Sequence, residues 1–259
     1  MAQTIGCFEK DGIEVLYALP ASGVLCPHTY GITVFLEGEG KVSLNGAPLT
    51  ITPYALMLYG PGDICYFHNS ETLKCLTFLF DPTILYGDVT SLLSSYEGAK
   101  YRLPHTHPAN LTQLVAHLPQ MGEFEGDHGV MLARMKLSEL LLHMSMTPVN
   151  QAPQEDMARV AAYLGAHAEE DLSLDSLSLG VGISKFHLLR RFRDEVGMTP
   201  HTYLGYVRVL RAQDLLAKGV PAAGVAKEVG FQDYSTFFRT YKRLMGVAPV
   251  TTKAREVRL

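Results

Sequence analysis

The segment ISKFHLLRRFRDEVGMTP, Ile183–Pro200, combines four basic residues with bulky apolar ones and ends in Gly-Met-Thr-Pro. A second segment, FQDYSTFFRTYKRLMGVAP at Phe231–Pro249, repeats its pattern near the C-terminal end. Five pairs of residues with matching chemistry lie 49 positions apart: Arg190/Arg239, Phe192/Tyr241, Arg193/Lys242, Gly197/Gly246 and Pro200/Pro249. Because this agreement is too extensive for chance, the sequence predicts a duplicated structural unit.

The first copy has the layout of two helices joined by a glycine-containing turn. Ser173 can cap a short helix that runs through Leu179, and Gly180-Val-Gly182 supplies the turn. Ser184 can cap the second helix, predicted at Lys185–Val196. This order is typical of a helix-turn-helix, whose second helix enters the major groove of DNA.

The second helix of the first copy has two distinct faces. Three apolar residues at i, i+4 and i+8 are expected to pack inward: Leu188, Phe192 and Val196. Another face carries four residues at i, i+3, i+4 and i+7: Phe186, Leu189, Arg190 and Arg193. The spacing therefore predicts an outer face that presents two guanidinium groups beside two apolar side chains.

The second copy repeats these features. Pro221 suits a first helical turn, Val229-Gly230-Phe231 forms the turn, and Asp233 can cap the helix that follows. The residues expected to face inward are Phe237, Tyr241 and Leu244, and those expected to face outward are Ser235, Phe238, Arg239 and Lys242.

A helix between the copies is predicted to hold them apart. Thr199-Pro200 opens it, and it runs to about Lys218. Its expected apolar side consists of Tyr203, Tyr206, Val207, Leu210, Leu215 and Leu216. Such a helix could bridge major grooves on one face of B-DNA, which recur about every 34 Å.

The charge distribution separates the two ends of the chain. Residues 1–150 carry 7 Lys/Arg and 14 Asp/Glu, whereas residues 176–259 carry 14 Lys/Arg and 6 Asp/Glu. The net charge of −4 for the whole chain hides this difference. The division favours one acidic module and one basic module that binds an anionic partner such as DNA.

Residues of about 155–253 resemble the DNA-binding domain of the AraC family of bacterial transcriptional regulators. The pattern GF-x-D-x-S-x-F-x-R-x-(F/Y)-K-x-x-x-G-x-x-P is nearly complete, with Tyr241 in the aromatic position. The resemblance implies that bases are read by Phe186, Leu189 and Arg190 in the first copy and by Ser235, Thr236 and Arg239 in the second. Leu189 departs from the polar residue often found at its position. Lys185, Arg193 and Lys242 are expected to contact phosphates.

The first 80 residues or so are predicted to form strands. Alternating segments such as GITVFLEG and KVSLNG are separated by turn sequences, and Asn45-Gly46 indicates a type I′ hairpin. This spacing favours a small antiparallel barrel. Helices are expected at Ala109–Leu118 and Gly129–Met146, followed by a linker with two prolines. The predicted organisation is a two-domain α+β protein with an effector-binding domain (1–147), a linker (148–155) and a DNA-binding domain (156–259).

The strand-rich module resembles the cupin-like effector domain of the same family, on PHTYGITVFLEGEGKVSLNG and MLYGPGDICYF. His28, Tyr30 and Cys65 stand where metal-binding cupins place histidines, a set that suits a divalent metal poorly, so no metal or other cofactor is expected. An inward row of His28, Tyr30, Ile32 and Val34, with Cys65 and Phe67 opposite, would line a pocket for a small effector. A packed barrel without a ligand is the alternative.

The predicted helix Gly129–Met146 is rich in Leu and Met and carries few charges, with apolar residues at Met131, Leu132, Met135, Leu137, Leu140, Leu141 and Met144. A stripe of this kind is most often core. The family resemblance implies that this helix pairs in an antiparallel homodimer.

These patterns lead to one main hypothesis, a cytoplasmic, sequence-specific transcription regulator of promoter DNA, not an enzyme. The resemblance favours an activator that responds to a small effector and contacts RNA polymerase. No apolar run reaches the roughly 18 residues that span a bilayer, and the N-terminus lacks the order of a signal peptide. Two alternatives remain open: a ligand-independent regulator whose barrel only dimerises or binds a protein, and a cupin metalloenzyme fused to a DNA-binding domain.

Overall fold

The chain divides into two compact units, Met1–Gln154 and Glu155–Leu259. The computed structural model describes residues 3–19, 23–25, 29–68, 73–85, 87–94, 103–106, 127–146 and 156–249. The predicted linker (148–155) and the predicted helix at 109–118 lie outside these residues. The effector-binding and DNA-binding roles of the two parts stay predictions.

The described strands of the first unit form two antiparallel sheets. Their bounds are β1 (Gln3–Lys10), β2 (Ile13–Leu19), β3 (Gly23–Leu25), β4 (Tyr30–Glu37), β5 (Gly40–Leu44), β6 (Ala47–Ile51), β7 (Leu56–Tyr59), β8 (Cys65–His68) and β9 (Lys74–Phe80). A five-stranded sheet has the order β1-β2-β9-β4-β7, and a four-stranded sheet has the order β3-β8-β5-β6. The first sheet thus combines strands that are distant in sequence, such as β2 and β9.

The predicted hairpin at Asn45-Gly46 is confirmed. Both residues have positive φ, 49° and 83°, as a type I′ turn requires, and Leu44 pairs with Ala47 across it. The side-chain Nδ2 of Asn45 donates to Asp63 Oδ1 (2.6 Å), and the side-chain Oδ1 of Asn45 accepts from the backbone N–H of Ile64 (2.8 Å). The hairpin is therefore held against the turn that precedes β8.

Two buried clusters lie on opposite faces of the five-stranded sheet. On β4, Ile32 and Val34 belong to a cluster that includes six residues of the helix after the sheets, whereas Phe35 belongs to a cluster shared with the four-stranded sheet. The second cluster includes Val42, Leu44 and Phe67. The space between the sheets is consequently apolar, and the helix covers the outer face of the larger sheet.

Helices α1 (Gly87–Ser94) and α2 (His128–Ser145) follow the strands in the described part of the first unit. The predicted helix at Gly129–Met146 is confirmed within one residue at each end. Its buried residues are Gly129, Val130, Ala133, Leu137, Leu140, Leu141 and Met144. Met131 and Met135, which were expected on the apolar side, are instead exposed by 55% and 58%. The inward face of α2 is therefore rotated toward Val130 and Ala133.

The second unit is built from six helices over residues 156–249: α3 (Asp156–Ala166), α4 (Leu174–Val181), α5 (Lys185–Val196), α6 (Pro200–Ala217), α7 (Ala222–Glu228) and α8 (Tyr234–Met245). The strand-rich first part and helical second part of the predicted α+β fold are confirmed. Closure of the two sheets into a cupin-like barrel stays a prediction. Within the residues that have described positions, no helix is both long and apolar enough to cross a bilayer.

Side-chain caps explain where α4, α5, α6 and α8 begin. Ser173, Ser184 and Asp233 each accept a hydrogen bond from the backbone N–H three residues later, at 3.1, 3.3 and 2.8 Å. Thr199 does the same for α6, ahead of Pro200 at the first helical position. The caps at Ser173, Ser184 and Asp233 were predicted from sequence, and Thr199-Pro200 was predicted to open α6, so the start of each of these four helices is confirmed.

Candidate DNA-binding surface

The first helix-turn-helix consists of α4, a turn at Gly182 and α5. Leu188, Phe192 and Val196 are buried, as predicted. The ring of Phe192 meets that of Tyr203 on α6 edge to face, with centroids 5.8 Å apart. The inner face of α5 is thus fixed against the long helix, which leaves its opposite face toward solvent.

The outer face of α5 carries the residues that sequence patterns single out. Phe186 is 87% exposed, Arg190 and Arg193 are exposed, and Leu189 is half-buried. Arg190 lies 3.8 Å from Asp194 in an exposed ion pair. Exposed pairs of this kind contribute little and are screened by salt, so a phosphate or base can replace the carboxylate.

Lys185 at the start of α5 is paired with Asp175 on α4 at 2.5 Å. Both side chains are largely solvent-accessible, at 48% and 69%. The pair links the two helices of the first helix-turn-helix at its outer edge. A role for Lys185 at a phosphate therefore requires exchange of Asp175 for the phosphate oxygen.

The second helix-turn-helix consists of α7, a turn at Gly230 and α8. Phe237, Tyr241 and Met245 are buried on α8, and Phe237 contacts Tyr241 with ring centroids 5.7 Å apart. The prediction that Leu244 faces inward is wrong, because Leu244 is only half-buried and Met245 takes the inner position. Met245 lies 49 residues after the buried Val196, so the duplicated pattern itself contains this assignment.

The outer face of α8 is polar and basic. Ser235, Arg239 and Lys242 are exposed, whereas Thr236 and Phe238 are half-buried. Sequence reasoning missed Arg243, which is also exposed and adds a third positive charge in the last two turns. The outer faces of α5 and α8 therefore share a basic character, and the individual contacts to DNA stay predictions.

Helix α6 joins the two helix-turn-helix units over 18 residues, or roughly 27 Å at 1.5 Å per residue. Its buried side is only partly as predicted. Tyr203, Leu210 and Leu216 are buried, but Tyr206, Val207 and Leu215 are half-buried, and Leu204, Val209 and Ala212 are buried in addition. Helices pack against α6 on more than one side, so no single stripe describes its core face.

A family model described as a helix-turn-helix domain matches residues 177–255. The uncharacterised HTH-type transcriptional regulator YbfI of Bacillus subtilis (strain 168) is 29% identical over 220 residues, which cover 80% of this chain and 78% of that protein. The arabinose operon regulatory protein of Escherichia coli (strain K12) is 24% identical over 235 residues, with 87% and 80% covered. The HTH-type transcriptional activator RhaS of Escherichia coli O81 (strain ED1a) is 25% identical over 233 residues, with 85% and 83% covered.

These matches extend through both units and join the duplicated helix-turn-helix pattern to a strand-rich N-terminal part. The helix-turn-helix match and these relatives together support an AraC-family transcriptional regulator. It is accordingly a DNA-binding transcription regulator.

In this AraC-family regulator the residues expected to line an effector pocket do not share one surface. Tyr30 packs with Ile32 and Val34 in the cluster that α2 covers, and its ring stacks on Phe80 with centroids 6.0 Å apart. Cys65 and Phe67 lie in the cluster between the sheets. The prediction that the two groups face one interior is therefore wrong, because alternate residues of β4 point to opposite faces of the sheet.

His28, the remaining member of that set, lies outside the described residues. The metal-enzyme alternative depends on His28 and is left untested for this reason. Roles for Tyr30, Cys65 and Phe67 in effector binding also stay predictions.

A hydroxyl cluster between the sheets was missed by sequence reasoning. Thr33 Oγ1 lies 3.1 Å from the Tyr59 hydroxyl and 2.8 Å from Thr77 Oγ1. Burial raises the pKa of Tyr59 far above its ordinary value and raises that of the Cys75 thiol to about 11, so both groups are neutral. Thr33 and Thr77 are register partners on β4 and β9, a proximity that no local pattern reveals.

Proposed function

We propose that this AraC-family regulator binds promoter DNA by placing α5 and α8 in two successive segments of the major groove. The observation that carries the proposal is the repetition of one arrangement: a side-chain cap, an apolar buried face and a basic exposed face on each helix. Helix α6, at roughly 27 Å, is somewhat shorter than one groove repeat of about 34 Å. DNA bending toward the protein would accommodate this difference.

The exposed side chains divide by chemistry into base readers and phosphate anchors. We assign base contacts to Phe186, Leu189 and Arg190 on α5 and to Ser235, Thr236 and Arg239 on α8. Arginine suits the O6 and N7 acceptors of guanine, and the apolar Phe186 and Leu189 suit thymine methyl groups. Lys185, Arg193 and Lys242 would contact phosphates, which position the protein without reading sequence.

Selection of bound fragments from random DNA with the purified full-length chain tests this proposal. A repeated pair of short sequence elements is expected among the bound fragments. Affinity for a selected fragment should fall steeply with salt, because each neutralised phosphate releases counterions.

The Arg190→Ala and Arg239→Ala variants should lose sequence preference. Lys218→Ala is the matched control, since it removes an exposed charge at the C-cap of α6, outside both recognition helices. Absence of sequence preference, or a flat salt response, would overturn the proposal.

The first unit is proposed to regulate the second by binding a small effector between its sheets, in a cupin-like fold. Support comes from a mostly apolar interior that holds a few hydroxyl groups, including Tyr59 and Thr33. The effector would act by binding one arrangement of the protein more tightly than another. A thermal-shift screen of metabolites with the purified chain tests this step.

One observation favours the ligand-independent alternative. Tyr59 is fully buried and its ring occupies the space beside Gly31, where a Cβ would overlap it. An interior filled in this way leaves less room for a ligand. If no metabolite stabilises the protein, the first unit would serve only dimerisation or a protein partner.

The exposed face of α2 supports a homodimer. Met131, Met135, Leu142 and Met146 are exposed by 55%, 58%, 53% and 77%. Their spacing of four, seven and four residues places them on one side of the helix, opposite the buried stripe. Exposed apolar residues aligned in this way are typical of a helix that pairs with a second copy.

We further propose that the protein acts in the cytoplasm, as an activator that contacts RNA polymerase at a promoter. The similarity to a relative named as a transcriptional activator supports activation of transcription over repression. Reporter assays with the selected DNA placed upstream of a core promoter would test it.

A further inference from the structure

Arg208 lies near the middle of α6 and binds the first half of the DNA-binding unit. Its Nε donates to the carbonyl of Ala168 at 2.7 Å, and its Nη2 donates to the carbonyl of Glu170 at 2.9 Å. Both carbonyls belong to the loop between α3 and α4. One guanidinium thus donates to two backbone carbonyls of this loop, of which that of Glu170 also accepts from the Leu172 amide at 3.1 Å.

The same guanidinium contacts the second half of the unit. It lies over the ring of Phe231, 5.6 Å from the ring centroid, in the turn of the second helix-turn-helix. Phe231 is buried, and its ring is 5.4 Å from that of Phe237, which is fully buried on α8. A continuous series of contacts therefore runs from the loop after α3, through Arg208, to the inner face of the second recognition helix.

Gly230 brings the two halves into direct backbone contact at the same place. A Cβ at this residue would lie 2.5 Å from the Ala168 oxygen and 2.8 Å from the Glu169 Cα, and its φ is +95°. Only glycine combines that approach with that backbone conformation at low cost. The backbones of the loop and the turn are therefore in close contact, and Arg208 contacts both of them beside Gly230.

Burial of Arg208 argues against a phosphate contact for this residue. Its guanidinium is half-buried, and loss of hydration lowers its pKa, with Asp171 acting in the opposite direction. Two of its donors are already used by backbone carbonyls. Its chemistry is that of an internal connection between the two halves.

We infer that Arg208 is a positioning residue: it fixes the orientation of α8 relative to α5 and so sets the spacing of the two DNA elements that the protein binds. The inference rests on the proposed entry of α5 and α8 into two groove segments. Rigid connection matters for spacing because one added base pair rotates an element by roughly 35° and moves it by about 3.4 Å. A rigid protein cannot follow that displacement without losing contacts.

Arg211 supplies the matched control, because the hydrogen bonds of its guanidinium go to the end of α3 and to the loop that follows it. Its Nη1 bonds Glu169 Oε2 at 2.5 Å and its Nη2 donates to the Gly165 carbonyl at 2.6 Å. Arg208→Lys and Arg211→Lys both keep one positive charge on α6. Only the first removes the planar group that joins loop to turn.

The test uses a DNA fragment selected by the wild-type full-length chain, together with derivatives that have one base pair inserted or removed between its two elements. A further derivative has one element scrambled. Wild type and Arg211→Lys should lose about tenfold or more in affinity on the altered spacings, the scale of a lost base contact. Arg208→Lys should lose less than about threefold on them while binding the single-element fragment within about twofold of wild type.

A spacing penalty that is undiminished in Arg208→Lys, or absent in wild type, would overturn the inference. A role of Arg208 in stability alone would lower affinity for all fragments equally, and that result also counts against it. If Arg208→Lys does not fold by circular dichroism, Phe231→Leu removes the opposite side of the contact and is measured on the same fragments. Failure of the proposed function itself would be distinct, since no paired elements would be selected at all.

Discussion

The Thr236 hydroxyl accepts a hydrogen bond from Nη2 of Arg239 at 3.4 Å, one turn away on the outer face of α8. The same hydroxyl donates to Asp233 Oδ2 at 2.8 Å, and Asp233 Oδ1 caps the helix through the Thr236 amide. Cap, hydroxyl and guanidinium thus form one connected set at the start of the second recognition helix. The contact to Arg239 is long and exposed, so it orients the guanidinium without occupying most of its donors.

Arg239→Ala should weaken binding to the selected DNA by about 1–3 kcal/mol and relax preference at one base position, because a bidentate contact to a base is lost. Fluorescence anisotropy on the selected fragment and on each single-base variant measures both effects.

Lys242→Ala is the comparison for this change, since it removes a neighbouring exposed charge. It should lower affinity for selected and random DNA alike and reduce the salt slope by about one. If Arg239→Ala behaves in the same uniform way, Arg239 is a phosphate anchor and not a base reader.

The recognition helices were predictable because their signals are local. Ser184 and Asp233 cap their helices through atoms three residues away, and the pairs 49 positions apart constrain each copy by the other. The same comparison assigns the inner position to Met245, 49 residues after the buried Val196, and not to Leu244. The helix bounds therefore followed from sequence almost completely.

The faces of β4 were not predictable in this way. Five successive residues, Gly31 to Phe35, are buried, so no alternation between apolar and polar residues marks which face meets the second sheet. The facing assignment depends on β9 and α2, which are distant in sequence. The hydroxyl cluster of Thr33, Tyr59 and Thr77 likewise appears only when the three strands are assembled.

Asp233 should contribute a pH-dependent part of the stability of α8. Hydrogen bonds from the Thr236 amide, and then from its hydroxyl, hold the pKa of Asp233 below its ordinary value. Its stabilising effect is therefore fully present above the unfolded-state pKa of about 3.9 and is lost as pH falls through the lower folded-state value. Asp233→Asn keeps a capping oxygen without a titrating group, so its melting temperature should fall less steeply than that of wild type on acidification.

Circular dichroism melts of the full chain at a series of acidic pH values make this comparison. Asp214→Asn, which removes an exposed carboxylate on α6, should track the wild-type profile. Identical slopes for wild type and Asp233→Asn would contradict the assigned role of the cap.

Met131→Lys combined with Met135→Lys should dissociate the proposed dimer. Two charges would then lie in the apolar row of α2, and their desolvation opposes pairing, so the dimer should weaken by at least about tenfold. Sedimentation velocity over a range of concentrations gives the dissociation constant. Leu179→Lys is the control, because Leu179 is 85% exposed on α4 in the other unit and should leave the dimer unchanged. A double variant that remains dimeric would assign the interface to another surface.

Gly31→Ala should destabilise the first unit by about 1–3 kcal/mol, because the added methyl group would overlap the buried ring of Tyr59 on the adjacent strand β7. The ring cannot move away easily, since Thr33 bonds its hydroxyl and apolar side chains surround it. Urea unfolding of the full chain measures the change.

Gly180→Ala is the matched substitution on α4: a Cβ there meets nothing within 4 Å, so it should be neutral or slightly stabilising. Adding Tyr59→Leu to Gly31→Ala relieves the overlap and should cost less than the two single changes combined. Strict additivity would show that Gly31 is required for a reason other than the ring of Tyr59.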